Sequence, residues 1–287
     1  MNTVVTIVAG DRISAASVRA AEQCLTTTVD WLAEGVAGDL PTDLPPPEAE
    51  QRVRRALAGA PVDVVAQTAT GRRKRLLVAD MESTIIENEM LDELAEELGL
   101  RERIAAITAR AMRGELDFEG ALRERVAMLA GLEIAALERA RAKIRIMPGA
   151  RALVATMRAG GAYCALVSGG FDYYTALVRA ELGFDFDQAN RLGVRDGKLS
   201  GEVIPPILGR DAKRAALERL ARERGIEVCD AITVGDGAND LDMLAAAGTG
   251  VAFRAKPLVA EAARARIDHG DLTALLYIQG YRRDEFH

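Results

Sequence analysis

From residue 75 onward the chain alternates short β-type runs with helical segments, and three of those runs end in polar motifs. That alternation leaves few folds open. Strands separated by helices pair in parallel and are joined by right-handed crossovers. Residues 75–79 form the first run and stop at Asp80. Residues 163–167 lead into Ser168-Gly169-Gly170, and residues 231–234 lead into Gly235-Asp236-Gly237-Ala238-Asn239-Asp240. Ligands in such sheets bind at the carboxyl ends of the strands, so the three motifs are expected to converge on one crevice. Helices are predicted from residue 151, over 173–182, over 211–224 and over 241–247, with a last strand at 250–253. Arg195-Asp196-Gly197-Lys198, between apolar runs at 192–194 and 199–203, is a hairpin signal.

About 70 residues separate Asp80 from the next strand, and their periodicity is helical. Leu91, Leu94, Ala95 and Leu98 recur at helical spacing, as do Phe118, Leu122, Val126 and Leu129. Gly99, Gly114 and Gly131 punctuate this block. Residues 87–149 therefore read as a helical cap over a doubly wound α/β core made of 74–86 and 150–287. Residues 1–73 read as a separate α+β module. Strands at 3–9, 29–33 and 62–67 alternate there with helices at 14–25 and 48–57, a ferredoxin-like β-α-β-α-β pattern. The prolines at 41 and 45–47 are expected to break regular structure between them. Residues 71–75, Gly-Arg-Arg-Lys-Arg, read as a solvated basic linker.

Composition removes several functions. A length of 287 residues allows about two domains. A net charge of −6 argues against a nucleic-acid partner but leaves an anionic small molecule open, since local cations can offset the bulk charge. Cys24, Cys164 and Cys229 form no CxxC pair, which speaks against zinc and disulfides. With only His269 and His287 present, a histidine-centred mechanism is not expected. No uncharged apolar run approaches the ~18 residues of a membrane span. Residues 1–17 lack a signal-peptide pattern, so the expected location is cytoplasmic.

The polar motifs suggest one chemistry. Asp80, Glu82, Asp236 and Asp240 would gather carboxylates that need a positive partner. A hard cation such as Mg2+, with oxygen ligands, meets that need. Ser168 and the amides of Gly169 and Gly170, read as preceding a helix, offer donors to a phosphate. Lys213 could add a fixed positive charge. A carboxylate nucleophile, a metal, a lysine and amide donors describe phosphoryl transfer through an acyl phosphate.

Asp80-Met81-Glu82-Ser83-Thr84, Ser168-Gly169-Gly170-Phe171, Lys213 and the 235–240 segment together resemble the four motifs of the haloacid dehalogenase (HAD) superfamily. Segments 88–93, 111–118 and 122–126 resemble the cap of its phosphoserine phosphatase family, and the resemblance covers roughly residues 75–280. It implies a Rossmannoid parallel-sheet core with an inserted cap, and hydrolysis of phosphoserine with Mg2+. Residues 1–73 are loosely similar to the small ACT-like regulatory module ahead of some bacterial members, and a homodimer through that module is a family expectation. The resemblance makes Asp80 the nucleophile and a metal ligand, with Asp236 and the backbone carbonyl of Glu82 as further ligands. It gives the Glu82 side chain the acid/base role. Ser168, Gly169, Lys213 and Asn239 would hold phosphate, with Asp240 supporting the metal and the lysine. In the cap, Glu89 would meet the substrate ammonium and Arg125 its carboxylate, with Met112 and Phe118 shaping the pocket.

One departure stands out. The family usually carries Asp-x-Asp in its first motif, and this chain carries Asp80-Met81-Glu82. The extra methylene leaves two alternatives open: a phosphotransferase to an alcohol acceptor such as homoserine, and a phosphoserine-binding sensor with impaired turnover.

Overall fold

The computed structural model describes residues 2–112 and 115–287, with Met112 described by its backbone alone. It contains two sheets. The first is built from β1 (Thr3–Ala9), α1 (Ala15–Leu25), β2 (Asp30–Ala33), β3 (Ala37–Thr42), α2 (Pro46–Ala56) and β4 (Val62–Thr68). Its strands pair antiparallel in the order β2-β3-β1-β4. Every β1 residue is buried because both faces are covered. Val5 and Ile7 pack with Ala21 of α1 and Val53 of α2, whereas Val8 points the other way into the main core. That split is the two-residue period of a strand.

The prolines predicted a break where the structure has β3. β2 pairs with β3 only over Ala37–Asp39, so Pro41 has β1 alone as a neighbour. Proline is tolerated at such an edge position. The module is thus β-α-β-β-α-β, one strand richer than its sequence pattern suggested.

The second sheet begins with β5 (Leu76–Ala79). The helices α3 (Met90–Glu97), α4 (Arg101–Met112), α5 (Phe118–Ala127) and α6 (Ala135–Arg141) intervene before α7 (Ala150–Ala159). Then follow β6 (Tyr163–Phe171), α8 (Asp172–Leu182), β7 (Phe186–Arg195), β8 (Lys198–Ile204), α9 (Arg210–Arg224), β9 (Ala231–Gly235), α10 (Leu241–Ala246), β10 (Thr249–Phe253), α11 (Pro257–Ala262), β11 (Ala265–Ile267) and α12 (Ala274–Ile278). The strand order is β11-β10-β9-β5-β6-β7-β8. The pairings are parallel except in the β7–β8 hairpin. The chain winds outward from β5 to one side and then returns to its other side. The switch point therefore lies beside β5, where a crevice opens at the strand ends. This is the α/β core with inserted helices that the alternation implied.

Backbone pairing joins the inserted helices to the core at two places, and the Tyr173 hydroxyl on α8 also donates to Glu138 on α6. Ile86 and Ile146 form an antiparallel bridge where the chain leaves and rejoins the core. Farther out, the Gly131 N–H donates to the Leu199 carbonyl at 2.9 Å and the Leu199 N–H to the Leu132 carbonyl at 2.8 Å. The Ile134 N–H donates to the Gly197 carbonyl at 3.2 Å. The loop after α5 thereby pairs with the hairpin.

The first sheet is fastened to the second by buried polar groups. The Asp63 carboxylate on β4 accepts the N–H groups of Asp268 at 2.8 Å, His269 at 3.1 Å and Gly270 at 2.7 Å. Gly71, Arg73 and Arg75 are exposed, as a solvated run would be, but two of the arginines are engaged. Arg72 meets the buried Asp39 of β3 at 2.6 Å, and Arg73 meets Glu285 at 2.7 Å. Asp63→Ala would leave three amide donors without their acceptor. Its expected effect is a loss of about 2–4 kcal/mol of unfolding free energy, measured by urea titration, with a smaller loss for Asp63→Asn.

Candidate active site

Asp80 follows the most enclosed strand of the sheet. β5 is fully buried between β6 and β9, and the Asp80 N–H donates to the Val234 carbonyl at 3.0 Å. This pins the Asp80 backbone against the end of β9. The next strand end carries Asp236, Asn239 and Asp240, and the carboxylate oxygens of Asp80, Asp236 and Asp240 lie within 4.8 Å of one another. Lys213, in the first turn of α9, reaches between two of them. Its Nζ lies 2.6 Å from Asp240 Oδ1 and 2.8 Å from Asp80 Oδ1, and its side chain is 1% exposed.

Electrostatics follow from that burial. Burial alone would lower the Lys213 pKa, but Asp240 and Asp80 outweigh it and push it up, so the ammonium stays charged. Burial pushes the Asp80 carboxyl well above its usual range, and Asp240 adds to this while Lys213 pulls back. Asp236 is pushed up to about 6, by burial first, with Lys256 opposing and Asp240 and Glu89 adding. One lysine does not neutralise three buried carboxylates. The donor set is all oxygen, compact and electron-rich, which fits a hard divalent cation. Such an ion would reverse the upward shifts.

Glu82 is the least conventional member. Its Oε1 accepts the Met90 N–H at 2.9 Å, at the first turn of α3. Its other face lies against Gly170, where an added Cβ would stand 2.8 Å from Oε2. Burial raises its pKa to about 8, with Glu89 and Asp80 adding and the Met90 N–H opposing. The turn after it places Ser83 at φ 53°, a left-handed conformation. Ser83 Oγ donates to Glu89 Oε1 at 2.7 Å.

The cavity above these groups has a volume of about 150 Å³. Asp80, Glu82, Glu89, Phe118, Arg125, Gly169, Asp236 and Asn239, all proposed from sequence, line it. The Phe118 ring rests on Gly169, where an added Cβ would sit 3.2 Å from Cζ. Arg125 Nε donates to the Ala121 carbonyl of its own helix at 3.2 Å. Arg125 forms no ion pair among the described residues. Burial lowers its pKa, and Glu82, Asp92 and Glu89 pull the other way. Asp240 and Lys213 sit behind Asp80 rather than on the cavity wall. The Met112 side chain lies outside the described residues.

The second motif differs from expectation. β6 runs on through Phe171 and α8 starts only at Asp172, so Gly169 and Gly170 are extended backbone, not a helix N-terminus. Ser168 is buried, and its Oγ accepts the Gly170 N–H at 2.9 Å. One expected phosphate donor is therefore already engaged.

Two residues escaped the sequence reading. Lys256 lines the cavity, with Nζ 3.7 Å from Asp236 Oδ2. It lies three residues beyond β10, so the rule of polar groups at strand ends could have found it. Asn190, wholly buried on β7, donates to the Gly169 carbonyl at 2.8 Å and accepts the Leu208 N–H at 2.7 Å. An amide inside a strand was its only signal. Lys213→Met would leave Asp80 and Asp240 buried without their counter-charge. The expected result is a loss of about 3–5 kcal/mol of stability, measured by denaturant unfolding in EDTA.

The comparisons agree with this geometry. A family model described as haloacid dehalogenase-like hydrolase matches residues 77–245. The phosphoserine phosphatase of Streptomyces coelicolor is 44% identical over 230 residues, covering 80% of this chain and 56% of that protein. This chain therefore spans little more than half of that relative's length. The phosphoserine phosphatase of Methanocaldococcus jannaschii is 42% identical over 205 residues, covering 71% of this chain and 97% of that protein. Among solved structures, a HAD family hydrolase from Salmonella enterica serovar Typhi superposes with a TM-score of 0.87 at 29% identity, covering 97% of this chain and 99% of that one. The chain belongs to the haloacid dehalogenase-like hydrolase family, in the branch occupied by the phosphoserine phosphatases.

Proposed function

We propose that this protein hydrolyses O-phospho-L-serine to L-serine and phosphate through an aspartyl-phosphate on Asp80. The observation that carries this reading is the Asp80–Lys213–Asp240 cluster, whose Asp80 opens into a cavity that also presents Glu82, Glu89 and Arg125. The names of the relatives support the substrate. They give no support to the acceptor-dependent transferase or to the sensor.

Each group then has a task. An Asp80 carboxylate oxygen attacks phosphorus, and the bond from phosphorus to the seryl oxygen breaks. Glu82 donates its proton to that oxygen, and serine leaves. Water then attacks phosphorus as Glu82 takes up a proton, the acyl-phosphate bond breaks, and Asp80 is regenerated with free phosphate. Positioned proton transfer of this kind contributes roughly 10²–10⁴-fold. The raised pKa of Glu82 suits a group that must begin protonated. Lys213 holds charge against the phosphoryl oxygens, with Gly169, Asn239 and Ser168 around them. Glu89 faces the substrate ammonium and Arg125 its carboxylate, while Phe118 closes the apolar side. Met112 is proposed, from the resemblance alone, to shape the pocket with Phe118. Asp80, Asp236 and the Glu82 carbonyl would hold Mg2+, with Asp240 in support. When bound, that ion supplies charge neutralisation at the phosphoryl group.

The proposal includes three structural units: 1–73, the core of 74–86 and 150–287, and the cap of 87–149. Their separate sheets and the Ile86–Ile146 bridge support the division. No described helix is long and apolar enough to cross a membrane.

Phosphate release from L-phosphoserine tests the reaction. It should require Mg2+, stop in EDTA and be absent from Asp80→Asn; full release by that variant would exclude the covalent route. Arg125→Ala should raise KM for phosphoserine by on the order of tenfold or more, the scale of a lost charged hydrogen bond. For a phosphate ester without a carboxylate, KM should change little. Equal losses on both esters would remove Arg125 from the carboxylate site.

A further inference from the structure

We infer that Gly170 is the positioning residue for the Glu82 side chain, and that a bare backbone at 170 is what lets a glutamate work where the family usually has aspartate. The inference rests on the acid/base role proposed for Glu82.

Three observations carry it. First, Gly170 is buried in the extended end of β6, and its φ is not in the left-handed region. Backbone conformation therefore does not demand glycine there. Second, space does. An added Cβ would lie 2.8 Å from Glu82 Oε2 and 3.0 Å from both Cδ and Oε1. All three atoms of the carboxyl group are held by the same face. The group cannot simply swing aside, because Oε1 is fixed by the Met90 N–H at 2.9 Å. Third, Gly170 is itself immobilised, since its N–H donates to the buried Ser168 Oγ at 2.9 Å. Neither partner can yield without breaking a hydrogen bond, part-buried at Glu82 and buried at Gly170.

Glutamate carries one methylene more than aspartate, so its carboxyl group reaches farther along this face. Gly170 supplies a flat wall, and Met90 supplies the donor that sets the carboxyl orientation. Together they aim a longer acid at the leaving oxygen. Displacement by about 1 Å can cost ~100-fold in rate.

The test is a double-mutant cycle in the full-length protein with Mg2+. Release by the parent protein checks the underlying reading; the cycle checks the inference. Gly170→Ala should lower kcat by roughly tenfold or more with KM within about twofold, since the change strikes orientation and not phosphate binding. Inhibition by inorganic phosphate should stay within about twofold. In a protein that also carries Glu82→Asp, which withdraws the carboxyl from the wall, the same Gly170→Ala change should cost less than about threefold. Thermal melting is read alongside. If Gly170→Ala alone does not fold, Glu82→Asp should restore folding by the same relief of space. An unimpaired Gly170→Ala protein, an equal penalty in both backgrounds, a loss confined to phosphate affinity, or a double variant that stays unfolded would each overturn the inference.

Discussion

A buried ammonium organises this molecule. Taking Lys213 out of water costs several kcal/mol even after relaxation, and only close opposite charge makes that tolerable. Asp80 and Asp240 supply it from two different strand ends. The lysine therefore fixes the relative placement of β5, the loop after β9 and the first turn of α9. Other choices follow. Asp240 uses its second oxygen to accept the Gly237 N–H at 3.0 Å, which folds its carboxylate back toward the strand. Gly235 has no side chain because that space is filled by the Asp240 carboxylate. Gly235 thus answers to packing around the ion pair more than to turn geometry, while the space at Gly237 is taken by Asn239.

The core was legible in the sequence because its signals are local and redundant. Each parallel strand is a short apolar run, and three of them end in groups that have no reason to sit beside an apolar run unless they face a crevice. Asp80 and Asp236 could be placed from such signals, whereas Lys213, on a helix, gained weight only beside the other motifs. What failed was local chemistry overruled by tertiary pairing. Pro41 looked like a breaker, yet at that position it needs only one neighbour. Gly169 and Gly170 do precede a helix as read, yet pairing with β7 keeps them and Phe171 in the strand, so their amides are not helix-terminal donors. β11 has only three residues, too few for any period to emerge. Lys256 follows a strand end and was simply passed over, whereas Asn190 reaches the site through long-range packing that no sequence spacing encodes. The arginines at 72 and 73 read as solvated because their partners, Asp39 and Glu285, lie far away in the chain.

The cavity brings charges of both signs together in an acidic protein. Its wall carries Asp80, Glu82, Glu89 and Asp236 against Arg125 and Lys256. Burial drives the pKa values of Asp80, Glu82 and Asp236 upward, and repulsion from neighbouring carboxylates adds to it. The site is thus strained toward whatever brings positive charge into it. An amino-acid substrate brings its own ammonium, so charge matching operates in both directions across the cavity.

The two attachments of the inserted helices have a geometric consequence. One is the Ile86–Ile146 bridge beside the central strand, and the other is the backbone pairing of residues 131–134 with the β7–β8 hairpin at the sheet's edge. A body held at one point can swing in any direction, but a body held at two can turn only about the line between them. On its backbone attachments alone the cap hangs like a door on two hinges set three strands apart, with the Tyr173–Glu138 hydrogen bond as a catch that must release before it turns. Any motion that keeps both sets of hydrogen bonds reduces to a single angle. Met90, whose N–H holds Glu82, rides on the leaf of that door, so one angle governs both access to the cavity and the aim of its acid.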